Sequence, residues 1–262
     1  EAHLHPQYQN TFFEYLNELQ SKGLQIFVTS HSPTITAKSD VDNISVLQRK
    51  QSIIRSFSFG ELSEEDYPKE SKRHLRKFLD TTKAQLFFAN GVLLVEGVAE
   101  AIIIPILAKK FLTEKIDLCK SGIELVNIGG VAFNHFGLLF NNDDERKRLL
   151  SKCAIITDSD PKADGNISDR AKKAKDLEKH NLKVCLAPHT LEHDLFEESE
   201  RNQTIMREVY QNMHSQTDDL RGDFNVSTLM DKLKSNKDKA EFALQLYDRL
   251  EKKEAFDVPD YI

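Results

Sequence analysis

From residue 86 onward, short apolar runs typical of buried strands alternate with stretches of helical periodicity. The apolar runs are LFFANGVLLVEG, IELVNIGG, CAIITDSD and LKVCLAPH, which begin at residues 86, 123, 153 and 182. Helical patterns follow the first run at 98–112 and the third at 169–180. This alternation predicts a parallel sheet with helices on its faces. After residue 198 the strand patterns stop, and the remainder is predicted to be helical.

Carboxylates follow three of the four predicted strands. Glu96 ends the first, Asp158 and Asp160 end the third, and Glu192 lies just beyond the fourth, while Glu100 is one helical turn after Glu96. In open α/β sheets, sites form at the carboxyl ends of the strands. Crowded carboxylates repel one another unless cations neutralise them, and hard oxygen ligands suit Mg²⁺ or Mn²⁺. Two such ions would clamp the attacking and leaving oxygens of a phosphodiester. The plainer alternative is that each acid is a helix cap or a solvated loop residue.

The segment after the fourth strand also contains a zinc-peptidase pattern. His189, Glu192 and His193 spell H-x-x-E-H, the signature of the inverzincins. That site needs both histidines to face one way from inside a helix. Pro188 places His189 at the very start of any helix, and the pattern leaves Glu96 unexplained. A zinc peptidase is therefore the weaker interpretation.

Composition limits the classes of protein that this chain can be. Its 262 residues are 39% hydrophobic and 30% charged, which allows one large domain or two modest ones with ordinary cores. The net charge of −6 does not indicate nucleic-acid binding, which usually shows as a basic domain, although divalent cations invert the field around acids. The three cysteines lack C-x-x-C spacing, and Cys153 and Cys185, which lie in apolar runs, are expected to be buried free thiols in a reducing cytoplasm. Glu96, Glu100 and Pro105 interrupt the most apolar stretch, so no membrane span is expected.

Three motifs in the predicted sheet resemble those of a Toprim domain, a module of topoisomerases, primases and some nucleases. VEGVAEA resembles its glutamate motif, NIGG its glycine turn and ITDSD its D-x-D motif, at residues 95–101, 127–130 and 156–160. The resemblance covers roughly residues 85–198, with the motifs in the expected order. It implies that Gly129 and Gly130 let the backbone turn tightly beside the acids.

The beginning of the chain resembles a different domain. EAHLHPQYQ followed by IFVTSHSP is similar to the end of an ABC-type ATPase of the SMC and RecF kind, with His31 as the switch histidine that contacts the γ-phosphate. Such a tail joined to a Toprim domain resembles the OLD (overcoming lysogenization defect) nucleases. The chain starts at Glu1 without a methionine and lacks the Walker A lysine and the Walker B acids. We therefore expect a part of a longer protein, in which ATP acts only in the full-length form.

The resemblance assigns roles to individual residues. TLEHD at 190–194 is similar to a third acidic motif, and KAEFALQL at 239–246 to a late motif with a catalytic lysine, for which Lys239 is the candidate and Lys237 the alternative. The expected catalytic residues are Glu96, Asp158, Asp160 and Lys239. The expected ligands of two divalent cations, Mg²⁺ or Mn²⁺, are Glu96, Glu100, Asp158, Asp160, Glu192 and Asp194. A basic run at 170–175 could contact a DNA backbone but fits a solvated helix face better.

The resemblance implies a cytoplasmic endonuclease of phage defence that cuts DNA by two-metal hydrolysis and that can form a homodimer. The expected fold class is α/β, with a Rossmann-like parallel Toprim sheet flanked by helices. Four parts are expected: an ATPase remnant at residues 1–56, a helical connector at 57–84, the Toprim domain at 85–198 and a helical domain at 199–262. The alternative function is a regulatory or DNA-binding module of an SMC-like or RecF-like ATPase with an inactive Toprim site. A topoisomerase would need a nucleophilic tyrosine, and no tyrosine stands in a suitable context.

Overall fold

The computed structural model of the chain describes residues 4–130, 132–159, 161, 166–213, 224–252 and 255–262. The described first part contains α-helices and an antiparallel hairpin. In chain order these elements are α1 (Pro6–Ser21), α2 (Pro33–Lys38), β1 (Ser45–Lys50), β2 (Ile53–Ser58), α3 (Lys69–Phe78) and α4 (Thr81–Ala84).

The centre of the molecule is a four-stranded sheet. Its strands are β3 (Gly91–Val95), β4 (Ile123–Asn127), β5 (Lys152–Asp158) and β6 (Leu182–Ala187). The strand order is β4-β3-β5-β6, and every neighbouring pair is parallel. The connections contain α5 (Val98–Lys110), α6 (Phe133–Gly137) and α7 (Asp169–Asp176). The predicted α/β class with a parallel sheet flanked by helices is confirmed, and all four carboxyl ends meet at one edge.

The described elements after β6 are helices, as the sequence predicts. They are α8 (Leu191–Glu197), α9 (Glu200–Met213), α10 (Val226–Lys232) and α11 (Asn236–Glu251). One apolar core joins them to α5, with Ile103 and Leu107 packed among Met206, Tyr210 and Phe242. The helical part is therefore anchored to the sheet through α5, and this contact brings α11 to the carboxyl edge.

A second core lies between the sheet and the first part of the chain. Phe57, Phe59 and Tyr67 are buried together with Leu94 of β3 and Phe136 of α6. The ring of Phe59 contacts those of Phe57 and Tyr67 edge to face. The polar-looking segment after β2 thus contributes aromatic side chains to the core.

Two patterns in this first part predict structure that is not observed. The apolar run LQIFVTS at 24–30 predicts a short buried strand, which is wrong: the segment is irregular and Phe27 is 85% exposed, since none of the described strands lies beside it to complete a ladder. The pattern SKRHLRKFLDTTK at 71–83 predicts one helix, but that helix is interrupted, because Asp80 accepts a hydrogen bond from the Lys83 backbone N–H at 2.9 Å and starts α4 as its N-cap. The sequence patterns did not indicate β2.

Among the described residues, no helix combines the length and the apolar character that crossing a membrane requires. The most apolar stretch of the sequence falls largely in α5, which has 13 residues and contains Pro105.

Candidate functional site

The carboxyl edge of the sheet opens into a pocket of about 270 Å³. Four carboxylates line it together with one lysine, and they come from several elements or their ends. Glu96 directly follows β3, Glu100 is in the first turn of α5, Asp158 ends β5, Glu192 is in the first turn of α8, and Lys239 is in the first turn of α11. The parallel strands bring the first acids together, and the packing of α11 against α5 adds the lysine.

The carboxylate of Glu96 is held in one orientation by two neighbours. The Thr157 hydroxyl donates a hydrogen bond to Glu96 Oε1, and the Arg170 guanidinium lies 3.2 Å from Oε1 and 3.4 Å from Oε2. The sequence placed Arg170 on a solvated face and did not single out Thr157. Thr157 stands one residue before Asp158 at the end of a buried strand, and this position is the signal that could have identified it.

Glu100 is partly buried next to the other acids. Burial, followed by the charges of Glu192 and Glu96, raises the pKa of the Glu100 carboxyl above its usual value, against the opposing effects of a backbone hydrogen bond and the Lys239 charge. Gly97 is the N-cap residue of α5, and a Cβ atom there would lie 2.9 Å from Glu100 Oε2. The absence of a side chain at position 97 therefore leaves room for the Glu100 carboxylate.

Glu192 and Lys239 form a partly buried ion pair. Glu192 is only 5% exposed, and Lys239 Nζ donates a hydrogen bond to its Oε2 at 3.1 Å. Burial alone would lower the pKa of Lys239, but the charges of Glu192, Asp158 and Glu100 and the hydrogen bond to Glu192 raise it instead. Lys239 is therefore held in its charged form. Lys237 is exposed and does not line this pocket.

Two glycines shape the wall of the pocket after β4. Gly129 has φ +71° and Gly130 has φ +125°, both in the region that side chains disfavour. Asn127 Oδ1 accepts a hydrogen bond from the Gly129 N–H at 2.8 Å, and the Gly130 N–H donates to the Glu96 carbonyl at 3.0 Å. This turn fixes the backbone of Glu96 against the end of β4.

The remaining expected residues are Asp160, Asp194 and His31. Asp160 lies outside the described residues. Asp194 faces a different cavity, where its Oδ2 accepts a hydrogen bond from the His189 backbone N–H at 3.1 Å. His31 precedes α2 and lines an apolar surface cavity beside α1. The structure thus groups Glu96, Glu100, Asp158, Glu192 and Lys239.

The zinc-peptidase pattern is divided between two sites. Glu192 lies in the acid-lined pocket, whereas His189 and His193 lie with Asp194 outside it. His189 lies before the helix, as expected, yet its ring stacks on that of His193 with centroids 3.9 Å apart. His189 precedes the N-cap residue of α8, and the extended backbone there folds its ring back onto His193. Glu192 cannot serve as the general base beside these histidines.

Two protein-family models match the chain. Residues 87–160 match the family described as "Overcoming lysogenization defect protein-like, TOPRIM domain". Residues 1–37 match an AAA domain family, whose description also names the AbiEii toxin of type IV TA systems.

Curated relatives include two phage or bacterial proteins. The Old nuclease of Escherichia phage P2 is 28% identical over 158 residues, which are 60% of this chain and 27% of the relative. Endonuclease GajA of Bacillus cereus (strain HuB5-5) is 26% identical over 198 residues, which are 68% of this chain and 27% of that protein. The chain thus spans about a quarter of the length of these relatives.

Solved structures that resemble the chain include C-terminal regions of two OLD proteins. The region from Xanthomonas campestris pv. campestris is 23% identical, with a TM-score of 0.44 over 67% of this chain and 91% of that chain. The region from Burkholderia pseudomallei is 21% identical, with a TM-score of 0.47 over 62% of this chain and 88% of that chain. By these matches, residues 87–160 are similar to the Toprim domain of OLD-like proteins and residues 1–37 are similar to an AAA domain.

Proposed function

We propose that this chain is a metal-dependent endonuclease that hydrolyses DNA phosphodiester bonds as part of an OLD-family ATP-dependent nuclease. One observation carries the proposal: four carboxylates and a charged lysine converge at the carboxyl edge of a parallel sheet. The names of the relatives, Old nuclease and Endonuclease GajA, support it. These names support a nucleic-acid substrate, and the substrate that we propose is DNA.

The pocket has the chemistry of a site for hard divalent cations. Four carboxylates and one lysine are the charged side chains of its described lining, so negative charge predominates there. The raised pKa of Glu100 has the same origin, burial beside other acids. The ligands that we propose are Glu96, Glu100, Asp158 and Glu192, with Asp160 added by its place in the D-x-D motif. All are oxygen donors, which suits two Mg²⁺ or Mn²⁺ ions rather than Zn²⁺.

Bound cations would supply Lewis-acid stabilisation of the charge that develops on the phosphodiester oxygens. The protein groups have separate tasks. Lys239, kept protonated by Glu192, contributes a fixed positive charge beside the phosphate, which is effective in a partly buried pocket. Arg170 and Thr157 orient Glu96 so that the Glu96 carboxylate can accept a proton from the attacking water.

A plasmid-nicking assay tests this function. We expect the chain to nick and linearise supercoiled DNA with Mg²⁺ or Mn²⁺ and to be inactive with EDTA. Glu96→Gln, Asp158→Asn and Lys239→Ala should each reduce cleavage at least about a hundredfold, the size expected for loss of a transition-state contact. The exposed carboxylate Glu65 gives the matched control, Glu65→Gln, which should cleave as the unchanged protein does.

Two outcomes would contradict the proposal. Cleavage that survives in Glu96→Gln and Asp158→Asn would place the activity elsewhere. The second outcome is a folded chain that binds DNA and Mn²⁺ yet fails to cut DNA with every divalent metal tested, even when joined to its ATPase domain. Such a chain would be a binding module with an inactive Toprim site.

A further inference from the structure

His189, His193 and Asp194 form a second cluster of ligating side chains at the start of α8. One donor atom from each lies within 4.8 Å of the others. Asp194 Oδ1 stands 3.1 Å from His189 Nδ1 and 3.4 Å from His193 Nδ1. None of the three lines the acid pocket. The cluster therefore needs its own explanation.

Hydrogen bonding accounts for only part of this arrangement. His189 Nδ1 is hydrogen-bonded to Asp194 Oδ1, but His193 Nδ1 is buried and has no hydrogen-bond partner within the described part of the chain. Burying a polar atom without a hydrogen-bond partner costs free energy, so native structures rarely contain such an atom unless it has another role. In this cluster that atom lies beside a carboxylate oxygen that another imidazole already contacts. A cation between the three atoms would satisfy all of them.

The separations also match those in a metal site. Ligand atoms bound tetrahedrally at 2.0–2.1 Å from Zn²⁺ lie about 3.3 Å apart. The two separations from Asp194 Oδ1, 3.1 and 3.4 Å, bracket that value. Two imidazole nitrogens and one carboxylate oxygen are ligands for first-row transition metals, in contrast to the all-oxygen set of the acid pocket.

We propose that His189, His193 and Asp194 bind one transition-metal ion, with Zn²⁺ as the best match. Three protein ligands leave a fourth position for water. The three residues line a cavity of about 480 Å³, whose other walls include Glu197 and Asp260. These acids give the cavity a negative field that attracts cations.

The two sites share one helix. Glu192 of α8 faces the acid pocket, while His193 and Asp194, the next two residues, face the histidine site. An ion at the histidine site fixes the first turn of α8 and, through it, the position of Glu192 beside Lys239. The ion is thus a positioning element for the acid pocket, and its binding does not depend on DNA cleavage.

Cobalt binding in excess Mg²⁺ tests the proposal, because Mg²⁺ occupies oxygen sites and competes poorly for imidazole. We expect one equivalent of Co²⁺ to bind the 262-residue chain with the visible absorption of a four-coordinate site, and Zn²⁺ to displace it. His189→Ala and His193→Ala should each lower the affinity more than about a hundredfold, the upper end of what loss of an outer-sphere partner costs. The Glu96→Gln/Glu100→Gln protein should bind Co²⁺ unchanged.

His180→Ala is the matched control, because His180 also contacts an aspartate, Asp143 Oδ1 at 2.7 Å, but lies outside the cluster. His189 is half exposed, so His189→Ala should fold even if His193→Ala does not, and thermal melting verifies both. Unchanged Co²⁺ affinity in folded His189→Ala, or Co²⁺ binding that is lost only in the Glu96→Gln/Glu100→Gln protein, would overturn the proposal. If the unchanged chain binds Co²⁺ but does not cleave DNA even when joined to its ATPase domain, only the proposed nuclease function is refuted.

Discussion

At the scale of single residues, the site depends on which charges are compensated. Arg170 stabilises Glu96 and Lys239 stabilises Glu192, whereas no cation of the described residues forms such an ion pair with Glu100. Burial and neighbouring acids therefore raise the pKa of Glu100. A carboxyl whose pKa is higher in the folded state than in the unfolded state stabilises the fold at low pH, and this contribution is lost as the pH rises.

The uncompensated charge of Glu100 predicts that the stability of the fold depends on pH and that a bound divalent cation removes this dependence. Without divalent cations, the free energy of unfolding should fall as the pH rises from about 4.5, the ordinary value for Glu100, through its raised native pKa. Glu100→Gln should flatten this slope and raise the melting temperature at neutral pH. Thermal melting from about pH 4 to about pH 8, with EDTA or with Mn²⁺, measures the effect. An equally steep slope in Glu100→Gln would show that another group titrates.

At the scale of elements, the start of α5 combines a cap and a ligand. The helix begins after Gly97 without a side-chain cap, and the side chain of Glu100 occupies the space beside the cap residue. The N-terminal end of a helix favours negative charge, which helps to hold Glu96 and Glu100 there. Local sequence thus supplies both the acids and the room for them.

Gly97→Ala should move the Glu100 carboxylate without breaking the fold. The added Cβ would lie 2.9 Å from Glu100 Oε2, and the flexible side chain is the part that can shift. We expect Mn²⁺ affinity to fall about tenfold, as when a ligand's support is altered, with a stability loss below about 1 kcal/mol. Calorimetric titration checks this. Gly91→Ala, at the other end of β3 with only ordinary contacts, is the control. Equal affinities in the two variants would contradict this role of Gly97.

At the scale of the whole molecule, the pocket joins positions that are far apart in sequence. Glu96 and Lys239 line the same pocket because α11 packs on α5 through a core that includes Leu107 and Phe242. Phe242 is fully buried and lies one helical turn after Lys239. The stability of this core and the position of the lysine are therefore coupled.

Phe242→Ala should lower the free energy of unfolding by about 3–5 kcal/mol, the usual cost of emptying an aromatic site in a core. It should also reduce cleavage at temperatures where the protein stays folded, because Lys239 loses its support. Denaturant unfolding and the nicking assay measure the two effects. Leu244→Ala, on the exposed face of the same helix, should change neither. Similar stability of the two variants would mean that this core does not anchor α11.

The sequence alone was sufficient for the sheet and for the acids at its edge. The length and apolar content of a run are local properties that identify a buried strand. Parallel strands place their carboxyl ends at the same edge of the sheet. Glu96 and Asp158 can therefore be assigned to one edge from their places in the sequence. The chain segment at 24–30 shows the limit of the same reasoning, because an apolar run becomes a strand only beside a partner.

Tertiary packing decided the contacts between side chains of distant segments. The approach of Arg170 to Glu96, the choice of Lys239 over Lys237 as a pocket residue and the separation of Asp194 from Glu192 all depend on how helices dock. Docking depends on the complementary shapes of distant surfaces, which no local pattern encodes. The stacking of His189 on His193 belongs to the same class, since it follows from the path of the chain before α8.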